Sequence, residues 1–403
     1  MNPTNKITVY RKLEGQSVGF YILLVVLAIM VAMGLLAAWT MEHEGHWISG
    51  MNNQVVWGMP HIFAIFLILA ASGVLNVASV STVFGQEVYK PLGRLSGLLA
   101  ITLLVGGLMV LVLDLGRPDR LIIAMTHYNF KSIFAWNIVL YNGFMAVVFI
   151  YLWFMMEKRM QPYYPIAGRI AFIWRLILTT GTGSIFGFLL AREPYGTAVM
   201  APMFIAMSLM FGKAMFLLIL MSSYRGSQRM LNHAVVMRLK NLLAMFIITA
   251  LYFLTVYFIT FAYFTEQHGV VRFFLLDGGH YTTLFWLGQI GLGAALPLFI
   301  LYHPRLGEQF SMIAVASVSV VIGGMIQLYV LIIGGQAYPL DMFPEMEILA
   351  SSFHDGVVAN YAPSHWEFML GLAGLAMSLL MTVLAMRIFD VLPECVTEEV
   401  PAL

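Results

Sequence analysis

Charge and cysteine are the scarce ingredients of this protein. Only 10% of its residues are Asp, Glu, Lys or Arg and its formal net charge is +1, so the basic patch that a nucleic-acid partner needs is missing. The one cysteine, Cys395, stands close to the C-terminus. That excludes a cysteine-ligated iron–sulfur cluster, a cysteine-built zinc site, a c-type haem attachment motif and an internal disulfide. Histidine is limiting in position. Of the ten, only His61 falls within a long apolar run, and near its end, while His233, His268, His280, His303, His354 and His365 fall in loops or at helix ends. A bis-histidine haem needs facing histidines deep in two helices. Any electrons this protein handles therefore come from a metal held by a partner, and the protein itself is expected to bind no haem, iron–sulfur cluster or metal.

What is abundant is apolar length. Mean hydropathy is +0.86 and 61% of the residues are apolar, which marks a polytopic membrane protein. Runs long enough to cross a hydrocarbon core of roughly 30 Å, about 20 helical residues, occur at 19–40, 57–84, 92–113, 132–155, 170–190, 198–222, 241–264, 281–302, 311–334 and 366–389. The runs are continuous rather than alternating, so the expected fold is an all-α bundle of ten spans in a single membrane domain, not a barrel. The first run follows Lys6, Arg11 and Lys12 but is too long for a signal-peptide core and lacks a small-residue cleavage site, so it reads as a permanent span. The longest connection, 335–365, carries Asp341, Glu345, Glu347 and Asp355 and no Lys or Arg.

Lys and Arg are distributed unevenly between the two sets of loops. The N-terminus, the loops after even-numbered spans and the C-terminus hold Lys6, Arg11, Lys12, Lys90, Arg94, Lys158, Arg159, Arg169, Arg225, Arg229, Arg238, Lys240, Arg305 and Arg387. The other set holds Arg117, Arg120, Lys131, Arg192 and Arg272, and Arg175 and Lys213 fall inside spans. By the positive-inside rule both termini are expected in the cytoplasm. Three of the five outer cations then belong to the one loop that opens with DLGRPDR, 114–120. A solvated turn with Gly116, Pro118 and mutually neutralising Asp and Arg is one reading; a site is the other.

Four segment ends meet on that outer face: Glu42, His43, Glu44 and His46 after the first span, Trp57 and His61 at the second, Asp114 after the third, and His127, Tyr128 and Lys131 before the fourth. His61, Ser72, Asn76 and Ser79 share one face of the second span, which should point into the bundle. An imidazole and a carboxylate with Tyr and Trp beside them suit a quinone, whose two carbonyls need hydrogen-bond partners while two protons move with two electrons. Interhelical hydrogen bonds and interfacial anchoring explain His43, His46, His127 and Tyr128 at least as well. Arg175 with Thr179 and Thr182, and Lys213, are intramembrane groups that suggest a proton or ion path or a buried pair. A transporter-like reading would line such a path with Arg175, Lys213, Gln289 and Gln327, and a passive anchor would need no site.

Four stretches carry a resemblance to a known family: NNQVVWGMP at 52–60, DLGRPDR followed by KSIFAWN at 131–137, AREPYGTAVMAPMF at 191–204 and YAPSHWEF at 361–368. Together they are similar to the polysulfide reductase/NrfD-like membrane subunits of quinone-linked respiratory complexes, over nearly the whole sequence. The ten-span form most resembles members of Dsr sulfur-metabolism complexes, DsrP-like subunits, with hydrogenase-linked members more distant. The resemblance implies two four-helix bundles, 19–155 and 170–302, followed by two further helices in 311–389. It implies a subunit of the prokaryotic cytoplasmic membrane that exchanges electrons between the quinone pool, menaquinone or ubiquinone, and a ferredoxin-like iron–sulfur subunit on the periplasmic face. The further partners implied are a cytochrome b membrane subunit, a cytoplasmic iron–sulfur subunit and a multihaem cytochrome c. The expected quinone and proton-transfer residues are His61, Asp114, Asn76, Trp57 and Tyr128; the partner-facing loop would use Arg117, Arg120 and Lys131; and a proton path would use Ser72, Ser79, Arg175 and Lys213. Asp114 and Arg117 carry over directly from the LGRP motif, whereas some relatives have a histidine near the position of Asn76.

Overall fold

The computed structural model describes residues 9–227, 229, 231–340 and 356–394. The acidic positions 341, 345, 347 and 355 of the long connection, and Cys395, lie outside the described residues. Among the described residues ten helices are long and apolar enough to cross a membrane: Val18–Glu44, Met59–Phe84, Glu87–Leu113, Ile133–Met156, Lys158–Gly187, Met200–Gly226, His233–Tyr263, His280–Tyr302, Phe310–Ala337 and His365–Ile388. Each expected run is one of them. The fifth and seventh start well before their apolar stretch, because Lys158, Arg159 and Arg169, or Arg238 and Lys240, extend the helix past the point where hydropathy gives out. Long cationic side chains continue a helix at little cost and reach the membrane surface.

A two-stranded antiparallel clasp, β1 (Tyr10–Arg11) and β2 (Leu392–Pro393), joins the two ends of the described residues. Arg94 holds the clasp by stacking 3.8 Å from the Tyr10 ring centroid and by donating to the Asp390 carbonyl at 3.0 Å. Both ends thus lie on one face. With ten crossings, the first ends of the second, fourth, sixth, eighth and tenth spans lie on the opposite face, where the third span also ends.

The second span packs against the third and sixth; the third against the fourth and tenth; the fourth against the fifth; and the sixth to ninth pack among themselves. The first span packs along the tenth and is otherwise largely exposed, with only 22% of its apolar window buried, whereas the second span's window is wholly buried. Sequence order does not say which helices touch; side-chain size does. The second and sixth spans cross at Gly73 and Gly212, where a Cβ on either would run into the other's backbone, the close approach that small residues permit in membranes.

The second span breaks at Leu75, between Met59–Val74 and Asn76–Phe84. Ser96 of the third span repairs the break: its hydroxyl donates to the Val74 carbonyl at 2.8 Å and accepts from the Ala78 amide at 3.2 Å. In lipid, freed backbone groups need such partners.

Candidate functional site

The face opposite the termini gathers the polar groups. Asp114 caps the third span, 8% exposed, and its Oδ2 lies 3.1 Å from Nδ1 of His61 in the first turn of the second span. His46, in the short turn after the first span, donates from Nε2 to the Asp114 carbonyl at 2.9 Å and sits 3.9 Å from Oδ1. Because that acceptor is a carbonyl, the His46 proton is on Nε2. Both imidazoles are about a quarter exposed while the carboxylate between them is buried. Neither Asp114 oxygen has a partner in full hydrogen-bond geometry. Burial, with the Glu367 charge adding, pushes the Asp114 carboxyl up to about 8. The acid therefore holds its proton at neutral pH and can release it within the working range of a proton-transfer group.

Glu367 is the group that sequence reasoning missed. It lies in the first turn of the tenth span, fully buried, and forms a capping box with Ser364. That motif, legible as Ser-x-x-Glu, explains a helix start and nothing more. In the fold its carboxylate also accepts from the Gly50 amide, the Tyr361 hydroxyl and, at 3.2 Å, the Met59 amide. Met59 in turn donates to the Tyr361 oxygen at 2.7 Å. Gly58 is required beside it, since a Cβ there would lie 2.7 Å from Glu367 Oε2. The buried carboxylate thus pins the loop that delivers His61, and its charge is shared among several donors, as a buried ion requires.

Trp57 is held from the ninth span. Gln336 Oε1 accepts from the Val56 and Trp57 amides at 2.9 and 3.0 Å, and its Nε2 donates to the Trp57 carbonyl at 3.0 Å. Arg192 braces this arrangement by donating to the carbonyls of Gln336 and Gln54. The indole meets Phe186 edge-on at 5.3 Å and lies 6.0 Å from Phe134 and 6.5 Å from His61. Phe134 is 44% exposed. Trp57, Phe134 and His61 form a half-open aromatic wall beside Asp114.

Other expected residues fall elsewhere. Asn76 is buried but fifteen residues further along the second span, about 22 Å from His61, so the polar stripe does not form one site. Ser72 bonds Thr179 at 2.7 Å and Arg175 Nη1 donates to the Ser72 carbonyl at 3.2 Å, a separate cluster in mid-membrane; Ser79 donates to Leu75 of its own helix. Lys213 is buried, with its ammonium 6.0 Å from the Phe246 ring centroid. Tyr128 stacks on Phe130 in the connecting loop, ring centroids 6.0 Å apart. Arg117 makes a bidentate pair with Asp119, at 3.1 and 3.0 Å, and both are well exposed; Arg120 and Lys131 are exposed too. The DLGRPDR turn therefore splits its roles: Asp114 turns inward to two histidines, while Arg117 is neutralised within the turn. Among the described residues no group of three His, Cys, Asp or Glu is arranged to hold a metal ion.

The profile of the polysulphide reductase NrfD family matches residues 47–339, from Trp47, next to His46, to just past the end of the ninth span. The protein belongs to the NrfD family. Among curated relatives, it is 28% identical over 392 residues to the Hdr-like menaquinol oxidoreductase integral membrane subunit of Archaeoglobus fulgidus, covering 97% of this protein and 98% of that one. It is 23% identical to the C subunit of the selenate reductase of Mesobacillus selenatarsenatis, over 91% and 93% of the two proteins. It is 25% identical to protein NrfD of Escherichia coli, over 62% of this protein and 85% of that one. Like other NrfD-family subunits, it is a multi-pass protein of the prokaryotic cytoplasmic membrane. His61 and Asp114 lie within the matched region; the first span, Tyr361 and Glu367 lie outside it.

Proposed function

We propose that this protein is the quinol-reactive membrane subunit of a multi-subunit respiratory complex, and that it oxidises a quinol at the His61–Asp114 pair. The contact between the imidazole and the buried carboxyl, 3.1 Å at an open edge of the bundle, is the observation that carries the reading. Trp57 and Phe134 offer faces for an aromatic ring, His61 offers a nitrogen to a quinol hydroxyl, and Asp114 takes the proton onward. The relative named a menaquinol oxidoreductase subunit favours menaquinol as the substrate. Asn76 and Tyr128 belong to this proposal only as more distant members, on the second span and the nearby loop.

Electrons leaving the quinol pass to a partner, which we propose is a ferredoxin-like iron–sulfur subunit seated on the exposed turn of Arg117, Arg120 and Lys131. The Lys and Arg bias supports placing that face in the periplasm and both termini in the cytoplasm. A DsrP-like role in sulfur metabolism, with cytochrome b, cytoplasmic iron–sulfur and multihaem cytochrome c subunits alongside, rests on the sequence resemblance. Ser72, Ser79, Arg175 and Lys213 we assign to proton passage in mid-membrane rather than to quinol contact.

Asp114→Asn tests the site. In the purified complex, assembled to the wild-type level, it is expected to slow quinol-analogue oxidation on the order of a hundredfold or more, the loss typical of a removed general base. A rate unchanged in Asp114→Asn, with His61→Ala equally silent, sinks the assignment.

A further inference from the structure

The residues between the third and fourth spans leave one apolar element uncovered. The helix Leu121–Thr126 reads LIIAMT, apolar on every side up to its last residue, and none of its residues is buried. Ile122 is 67% exposed, Ile123 54% and, just beyond, Phe130 74%. A helix apolar all round belongs inside a protein core or in a membrane, and one of six residues does not hold in water on propensity alone. The protein keeps this one outside its own core, so another surface covers it.

Its polar groups are closed locally. The Thr126 hydroxyl donates to the Ile122 carbonyl at 2.8 Å and the His127 amide to the Ile123 carbonyl at 2.9 Å. Further on, Trp136 Nε1 donates to the Phe130 carbonyl at 2.9 Å, which ties the segment to the first turn of the fourth span. An element closed in this way asks little hydrogen bonding of whatever covers it, the condition that lipid imposes. A protein seat would instead offer a polar rim to be paired.

Two further observations choose lipid over a protein. The helix packs beside the fourth span, which is itself turned outward: only 33% of its apolar window is buried, and Phe134, Trp136 and Val139 are exposed on it. The apolar patch thus continues a surface that already faces lipid. The stretch 120–132 also carries Arg120 and Lys131 at its two ends and no Asp or Glu, and among the described residues neither cation forms an ion pair. Their long stems suit the edge of the acyl chains while the charges reach the headgroups, and Tyr128 and Trp136 are of the kind that gathers at that depth.

We propose that Leu121–Thr126 is an interfacial helix lying in the boundary between headgroups and acyl chains on the His61 face, with Arg120 and Lys131 among anionic lipid headgroups at its two ends. The two charges stay on the water side, so a lipid-seated helix and a partner on the Arg117 turn do not compete. Phe134, the exposed member of the aromatic wall beside Asp114, lies in the first turn of the fourth span. The helix therefore borders the edge at which that wall opens to lipid, whatever the wall binds.

Spin labels on the intact complex, in vesicles containing phosphatidylglycerol and with Cys395→Ser as the background, test the proposal. A label at Ile123→Cys is expected to collide severalfold more often with oxygen, which concentrates in lipid, than with a water-soluble nickel chelate. A label at Phe149→Cys, exposed deeper along the fourth span, supplies the lipid reference. Preference for the chelate puts the helix in water and overturns the proposal; a label that neither reagent reaches overturns it too, because a protein partner then covers the patch. Exchanging phosphatidylglycerol for phosphatidylcholine is expected to lower the oxygen preference at Ile123→Cys, and an unchanged preference overturns the part given to Arg120 and Lys131. None of these readings involves quinol oxidation, so a failure of the His61–Asp114 site leaves them standing.

Discussion

Two regions of this molecule treat buried polarity in opposite ways. On the His61 face, Glu367 is fully buried yet surrounded by the donors of Gly50, Met59 and Tyr361, and Asp114 sits between two partly exposed imidazoles. Among the sixth to ninth spans, Lys213 and Gln289 are buried with unpartnered donors, and Gln289 lines two small cavities. The first arrangement fixes geometry at an opening; the second leaves donors unfixed in the interior. Preorganised groups at an edge suit a bulky exchangeable molecule, whereas unfixed donors beside spaces of about one water molecule suit water.

The comparison breaks most visibly at Glu367. Glu367→Leu is expected to leave the amides of Gly50 and Met59 without their acceptor and to cost on the order of 2–3 kcal/mol, read as a lowered melting temperature of the purified complex. Glu367→Gln, which keeps an acceptor oxygen, is expected to lose less. Equal melting of Glu367→Leu and wild type would show that the loop is held by something else.

A smaller effect sharpens the role of Asp114. Its carboxyl keeps its proton up to about 8 in the fold against an ordinary value of 3.8, so between those values the folded state binds more protons than the unfolded one. Stability contributed by this group is therefore present at low pH and is lost as pH rises from about 4 towards about 8. The melting temperature of wild type is expected to decline over that window, and Asp114→Asn, neutral throughout, is expected to flatten the decline. A steeper decline in the variant would contradict the burial argument.

The smallest expected effect is at the turn. Arg117→Ala removes an exposed pair with Asp119 and is expected to leave the melting temperature unchanged. If the turn seats a partner, the same variant weakens retention of the iron–sulfur subunit on washing at raised salt; full retention would dissociate Arg117 from docking.

Spans, bundle class and the pairing of His61 with Asp114 were legible because hydropathy marks where helices cross, and counting crossings puts segment ends on a common face. Asn76 shares a helical face with His61 but not its depth, since fifteen positions of helix separate them. Glu367 was hidden because its local pattern with Ser364 is already complete as a helix cap, and two of its other partners come from more than three hundred residues away. Gln336 likewise looks like an ordinary polar residue at a helix end until the Trp57 backbone is laid against it. The close approach of Gly73 to Gly212 carries no mark in the sequence beyond two glycines among many.

The most direct measurement is the pH profile of quinol-analogue oxidation by the intact complex, wild type against Asp114→Asn. Asp114 must lose its own proton before it can take on the one passed through His61, so the account predicts that the wild-type rate climbs as pH passes through about 8 and that this limb is absent from the variant. The same rising limb in both proteins would contradict it.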